Sequence, residues 1–174
     1  VQPTIIAAVP RIFEKIYAGA ATNAEQAGGA KLKIFNWAFA VGKEADAKRQ
    51  AGQPVTGMLA FKYNLADKLV FSKIKEKLGG NMKYMVSGSA KLNQEIAEWF
   101  SAAGLAILEG YGLTETSAAT CVNRPNNIGL GTVGQPLPGT EIKIAEDGEI
   151  LIKGPGVMRG YRNRPDANEE AFHA

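Results

Sequence analysis

Residues 108–117, Leu-Glu-Gly-Tyr-Gly-Leu-Thr-Glu-Thr-Ser, gather an aromatic ring, a hydroxyl and a carboxylate within a short stretch. Gly110 and Gly112 flank Tyr111, and a backbone without Cβ atoms can turn sharply and approach a ligand closely. Thr114 adds a hydroxyl able to donate to a phosphate oxygen. Glu115 adds a hard carboxylate of the kind that holds Mg2+ together with substrate phosphates. Read this way, the stretch is a loop that can hold a nucleotide, with Tyr111 as a flat platform. The same residues also fit an ordinary turn, with Tyr111 packed as core and Thr114 capping a helix whose first turn holds Glu115. Spacing alone leaves both readings open.

Tyr111-Gly112-Leu113-Thr114-Glu115 resembles the Tyr-Gly-x-Thr-Glu signature of the adenylate-forming enzymes, which include acyl-CoA synthetases, firefly luciferase and peptide-synthetase adenylation domains. Gly148-Glu149-Ile150-Leu151-Ile152-Lys153-Gly154-Pro155-Gly156-Val157-Met158-Arg159-Gly160-Tyr161 resembles the later Gly-Glu-Leu-x-x-x-Gly…Gly-Tyr stretch of that family. Val9-Pro10-Arg11-Ile12-Phe13-Glu14-Lys15-Ile16-Tyr17 is similar to the Val-Pro-Arg-x-x-Glu-Lys segment of the long-chain fatty acyl-CoA synthetases and narrows the branch. The resemblance covers essentially the whole chain. It implies ATP-dependent activation of a long-chain fatty acid, first to an acyl-adenylate and then to a coenzyme A thioester, with ATP, Mg2+ and coenzyme A as the implied cofactor and co-substrates.

Roles follow from the same resemblance, position by position. Gly88, Ser89 and Ala90 would lie along the adenine, and Glu109, Gly110, Tyr111, Gly112 and Thr114 would complete the nucleotide site. Thr114 and Glu115 would be catalytic, with Glu115 the metal ligand. Phe13 would stand at the mouth of the fatty-acid tunnel as a gate, and Gly110 and Gly134 would border the acyl pocket. Arg159 and Tyr161 read as structural. The family's upstream phosphate loop, its downstream ribose-binding Asp and its C-terminal Lys have no counterpart in these residues. The expectation is therefore a fragment of the large N-terminal domain, inactive alone. Two other readings are an aryl or amino-acid adenylating ligase and a non-catalytic AMP-binding or interaction module.

Composition sets wider bounds. With 174 residues, 45% hydrophobic and 21% charged, the chain can bury a substantial core. No apolar run approaches a bilayer span and no signal peptide is evident, so a cytoplasmic location is expected, with peripheral membrane contact and a homodimer left open. One cysteine, Cys121, reads as a buried structural thiol, since the only histidine is His173, near the end of the sequence. Residues 31–77 carry ten Lys or Arg against four Asp or Glu. They read as the solvated faces of helices or as a face for anionic lipid or polyphosphate. Nucleic acid is not expected, because no binding motif accompanies the charge.

These side chains need a scaffold, and the sequence supplies an α/β one: a parallel sheet with flanking helices over residues 1–127, then a β-rich, distorted-barrel subdomain over 128–174. Residues 4–9 suit a buried parallel strand, and Pro10 opens a helix with Ile12, Phe13, Ile16 and Tyr17 on one face. Two longer helices are expected over about 30–49 and 57–78, the second with Phe61, Leu65, Leu69, Ile74 and Leu78 as its apolar stripe and Gly79-Gly80 as its end. A strand over 82–86, a helix capped by Asn93 and a strand over 105–108 form a right-handed parallel unit. Its loops 87–90 and 109–115 would meet at the carboxyl edge of the sheet, where ligands bind in open α/β folds. Asp147-Gly148 between alternating segments marks a hairpin.

Overall fold

The computed structural model describes residues 2–172. Val1, His173 and Ala174 lie outside the described residues. β1 (Ile5–Ala8) leads through Val9 into α1 (Pro10–Ala27), where Pro10 takes a first-turn position whose missing N–H costs nothing. Gly28, with φ 54°, breaks the chain from α1 into α2 (Gly29–Gln50). The loop at 51–56 then delivers α3 (Gly57–Ala66), a π turn (Asp67–Phe71) and α4 (Ser72–Lys77) as one interrupted rod. Gly79 and Gly80, both at positive φ, end it where expected.

The buried side of that rod differs from the expected stripe. Leu59, Ala66, Val70, Phe71 and Ile74 face the core, whereas Phe61, Leu65 and Leu69 are 66%, 41% and 38% exposed. Two apolar rows share the helix, each at helical spacing, and periodicity does not tell which of them meets a partner. α2 fixes the choice, because its Phe39 takes Phe71 edge-on at 5.2 Å between ring centroids.

β2 (Tyr84–Ser87), α5 (Gln94–Ala102) and β3 (Ile107–Tyr111) form the expected parallel crossover. Asn93 caps α5, its side-chain oxygen accepting from the Glu95 amide at 2.8 Å. Ile96, Trp99, Phe100 and Ala103 are buried as the spacing requires, and Gly104 at φ 75° closes the helix. α5 lies on α2 through close contact at Gly42, where a Cβ would come within 2.6 Å of the Ala102 carbonyl oxygen. Trp99 stacks on Phe39 at 4.6 Å, and Phe100 meets Phe13 edge-on at 5.9 Å. Burying each of these rings stabilises the fold by roughly 1.5–3 kcal/mol relative to exposure.

The sheet runs β1-β2-β3-β4-β5 and is mixed. β1, β2 and β3 are parallel, while β4 (Cys121–Val122) and β5 (Gln135–Pro136) join antiparallel. β1 is an edge strand and not a buried one, with Ile5 59% exposed. β5 belongs to the first sheet although it follows the expected boundary at 127. β6 (Glu141–Ile144) and β7 (Ile150–Lys153) pair around Asp147-Gly148 as expected, and α6 (Pro165–Ala171) follows. The expected distorted barrel is not formed among the described residues. β6 and β7 make a separate two-stranded ribbon, and closure needs strands that run on around the sheet. No helix of the described residues is long and apolar enough to cross a membrane.

Candidate functional site

Strand β3 extends further than its apolar run. Glu109, Gly110 and Tyr111 lie within it, because Gly110 and Tyr111 pair antiparallel with Val122 and Cys121. They were expected in a loop. The antiparallel return strand, only two residues long, gave no alternation for the sequence to reveal. Gly110 is closely packed where it stands, since a Cβ there would meet the Cys121 carbonyl oxygen at 3.3 Å. Gly112 is stricter still, because a Cβ would overlap the Ala118 backbone at 1.6 Å from its oxygen.

Beyond Tyr111 the chain folds back on itself. Thr114–Thr116 forms a single 3-10 turn. The Thr116 hydroxyl accepts from the Leu113 amide at 3.0 Å and donates to the Leu113 carbonyl at 3.1 Å, and the Thr120 hydroxyl donates to it at 2.8 Å. Thr116 and Thr120 are both buried. Ser117 and Ala118 take left-handed φ of 55° and 84°, and the Thr120 amide returns to the Tyr111 carbonyl at 2.7 Å. This knot leaves Thr114 exposed and Glu115 half-buried, side by side at the rim. Thr114 sits inside the turn, not at its cap, because Leu113 takes the cap position.

The structure therefore brings most of the expected residues to one edge of the sheet. Ser87 pairs with Glu109 in register, so the loop 87–90 starts beside the end of β3. A Cβ on Gly88 would stand 3.7 Å from the Gly110 carbonyl oxygen, which measures how closely the two segments approach. Ser89 has φ 69° and is exposed with Ala90. Glu109 is buried; desolvation pushes its carboxyl above the usual range, opposed by the backbone amides of Leu92 and Gly131 and by the charge of Lys91. Gly134, at φ 78°, sits against the backbone of Val122 and Asn123 with no room for a Cβ. Phe13 does not join this group: it is 1% exposed, in the core against Phe100.

Other residues beside the site were not read as part of it: Tyr161 was expected to be structural, and Asn123 was given no role. Tyr161 donates its hydroxyl to Glu115 Oε1 at 2.8 Å. The Met158 amide donates to the Glu115 carbonyl at 2.7 Å, and the Ser117 hydroxyl donates to the Gly156 carbonyl at 2.8 Å. Glu115 is held below the usual carboxylate range, first by its own backbone amide and then by Tyr161, while the Tyr161 phenol is raised by the same carboxylate. The Gly-Tyr pair that ends the second motif was the available signal. Asn123, 2% exposed, organises the neighbouring loop: its amide donates to the Thr132 carbonyl at 2.6 Å, and its side-chain oxygen accepts from the Gly129 amide at 2.8 Å. Cys121 is buried and its thiol is pushed up by that burial, as a structural thiol would be.

Chemically, Glu115 opens into a cleft of about 840 Å3 whose charged lining also holds Glu141, Glu149, Lys143 and Lys153, with Tyr161 beside it. A carboxylate held below its usual range next to the exposed Thr114 can take a cation that accompanies a phosphate. No group of three His, Cys, Asp or Glu gathers as a metal cage among the described residues. Mg2+ fits such a site, since it keeps one or two protein carboxylates and takes its other ligands from phosphate and water.

Comparison with known proteins supplies the context. The family described as AMP-binding enzyme matches residues 1–162. The long-chain-fatty-acid–CoA ligase FadD15 of Mycobacterium bovis is 40% identical over 171 residues, which are 98% of this chain and 28% of that protein. The chain thus spans under a third of the curated relative it matches. O-succinylbenzoate coenzyme A synthetase from Bacillus subtilis, solved with ATP and magnesium ion, aligns with TM-score 0.50 and 26% identity over 66% of this chain and 29% of its own. A malonyl-CoA ligase solved with methylmalonyl-CoA and AMP aligns with TM-score 0.55 over 98% of this chain and 28% of its own, at 24% identity, and shows a shared fold.

Proposed function

The chain belongs to the AMP-binding enzyme family, and on that premise we propose that it is part of a ligase that activates a long-chain fatty acid with ATP and passes the acyl group to coenzyme A. The 40% identity to a long-chain ligase over nearly the whole chain supports the branch. One structural observation carries the chemistry: Glu115, ionised and tied by Tyr161, stands beside the exposed hydroxyl of Thr114 at the end of the glycine-flanked strand.

Attack of a carboxylate on the α-phosphate brings two anions together, and the site must lower that repulsion and hold the reactants in line. Tyr111, half-buried between two glycines that let the backbone close in, offers a face for the adenine, with 88–90 along its edge. Thr114 donates to a phosphate oxygen and fixes its direction. Glu115 would hold Mg2+, which would neutralise phosphate charge, an effect on the order of several kcal/mol. Tyr161 and the Glu115 amide favour the charged form of that carboxylate, and Tyr161 fixes its direction. Gly110 and Gly134, which the resemblance puts at the acyl pocket, pack against the backbone of residues 121–123 and so let these segments lie close together beside the place where the acyl carboxylate would enter. Phe13, a core residue in this chain, would act as a gate only by leaving its contact with Phe100.

Pyrophosphate release by the full-length protein, with acetate, benzoate, octanoate and palmitate in turn, tests the reading. Preference for palmitate is the expected result. Glu115→Gln should lower adenylation by roughly a hundredfold or more, the scale of losing one charge-stabilising contact, while leaving palmitate binding in place. Preference for benzoate would move the protein to the aryl ligases, and absence of turnover with every acid would favour a non-catalytic nucleotide-binding module.

A further inference from the structure

Ser87 and Glu109 are register partners at the ends of β2 and β3, one step beyond the apolar partners Met85 and Ile107 on the same side of the sheet. All four side chains are buried. Two of them are costly to bury. The Ser87 hydroxyl has no hydrogen-bond partner among the described residues, and desolvation raises the Glu109 carboxyl. An apolar pair would continue the core at this position without either cost. Buried polar groups that break the local rule in this way mark places where a chain serves function before stability.

Glu109, 6% exposed, sits too deep to face a ligand. Its carboxylate accepts instead from the backbone amides of Leu92 and Gly131. Leu92 is fully buried and follows Gly88, Ser89 and Ala90 in the turn before α5. Gly131, at φ 75°, belongs to the loop that runs on to Gly134. Asn123 holds the same loop from below, through the Gly129 amide and the Thr132 carbonyl. One carboxylate therefore joins two loops that flank the end of β3. The first is the loop proposed for the adenine, and the second ends on the glycine proposed for the acyl side.

On the ligase reading above, we propose that Glu109 is a positioning residue that sets both loops at once, so that ATP and the fatty acid are each held through it and neither touches it. A residue that met the nucleotide directly would serve ATP alone. A carboxylate tied to the backbone of both loops serves both substrates, and its loss lets Leu92 and Gly131 move apart while Thr114 and Glu115 stay where they are.

Steady-state kinetics of the full-length protein test this, read as pyrophosphate release with ATP and palmitate varied in turn. Glu109→Leu removes both acceptor oxygens. KM for ATP and KM for palmitate should each rise by roughly tenfold, the scale of losing a hydrogen bond to a charged group. A change in kcat of less than about threefold should accompany them, the pattern of lost binding that is uniform between ground and transition states. Glu109→Gln keeps one acceptor oxygen and should raise both KM values by a smaller factor; it decides the matter if the leucine variant does not fold. A rise in KM for ATP alone would make Glu109 a nucleotide contact, and unchanged KM values with less folded protein would make it purely structural. Either result overturns the proposal. Wild-type protein that releases no pyrophosphate would remove the ligase reading and this inference together, whereas wild-type turnover with both KM values unmoved in the variants would remove this inference alone.

Discussion

Tyr161 connects the two halves of the site through one atom. Its hydroxyl reaches Glu115 across a separation of 46 residues, and the carboxylate it meets is the group assigned to the metal. Glu115 has a lowered pKa in the folded protein, so its contribution is present above the ordinary carboxylate value and is lost as pH falls through the lowered one. Tyr161→Phe removes a donor to the charged form and lets that pKa rise toward its ordinary value. The acidic limb of the adenylation–pH profile should therefore move to higher pH in Tyr161→Phe, with a rate loss of roughly twofold to tenfold at neutral pH, the scale of one hydrogen bond. An unshifted limb with the same rate loss would mean that Tyr161 only packs the 156–161 segment against the turn.

At the scale of elements, Phe13 shows how a motif residue and a core residue coincide. It opens no described cavity and lies between α1 and α5 against Phe100. Phe13→Ala should destabilise the protein by about 3–5 kcal/mol, read as a lowered midpoint in urea. A change in chain-length preference without that loss would favour the gate. The helix caps, the crossover and the hairpin were legible because each depends on neighbours in sequence: Asn93 two residues from the amide it accepts, Gly79 and Gly80 at a helix end, Asp147-Gly148 between alternating strands. What was not legible depends on distant partners. β3 reaches Tyr111 only because Cys121 and Val122 come back beside it, and the Thr116–Thr120 knot needs a turn whose φ values sit on Ser117 and Ala118, neither of them glycine. The outward row of α3 was misread for the same reason, since its period is real and only its partner is missing.

On the scale of the whole molecule, one edge of the sheet carries the residues proposed for chemistry and another is simply open. β1 pairs with β2 on one side and with no strand of the described residues on the other. Ile5 is 59% exposed on it. An unpaired, apolar strand edge is a template for association. Expressed as these 174 residues, the protein should form concentration-dependent aggregates by light scattering, and Ile5→Lys should reduce them, whereas scattering unaffected by that change would locate the association elsewhere. The open β1 edge and the edge that carries Thr114 and Glu115 are different surfaces of one core, so each can be altered by substitution without rewriting the other.

The π turn at Asp67–Phe71 bears on which changes of chain length the fold can absorb. Deleting one residue there would remove the extra residue that the wide turn holds and leave an ordinary helix, with the residues after it facing as they do now. Ile74 would stay in the core. A deletion within α3 or α4 has no extra residue to give up and would turn everything after it by roughly 100°, from 3.6 residues per turn. Among homologous chains, gaps should therefore gather in the loop at 51–56 and, within the rod, at 67–71, and a gap at 67–71 should leave the polar and apolar pattern over 72–77 unchanged.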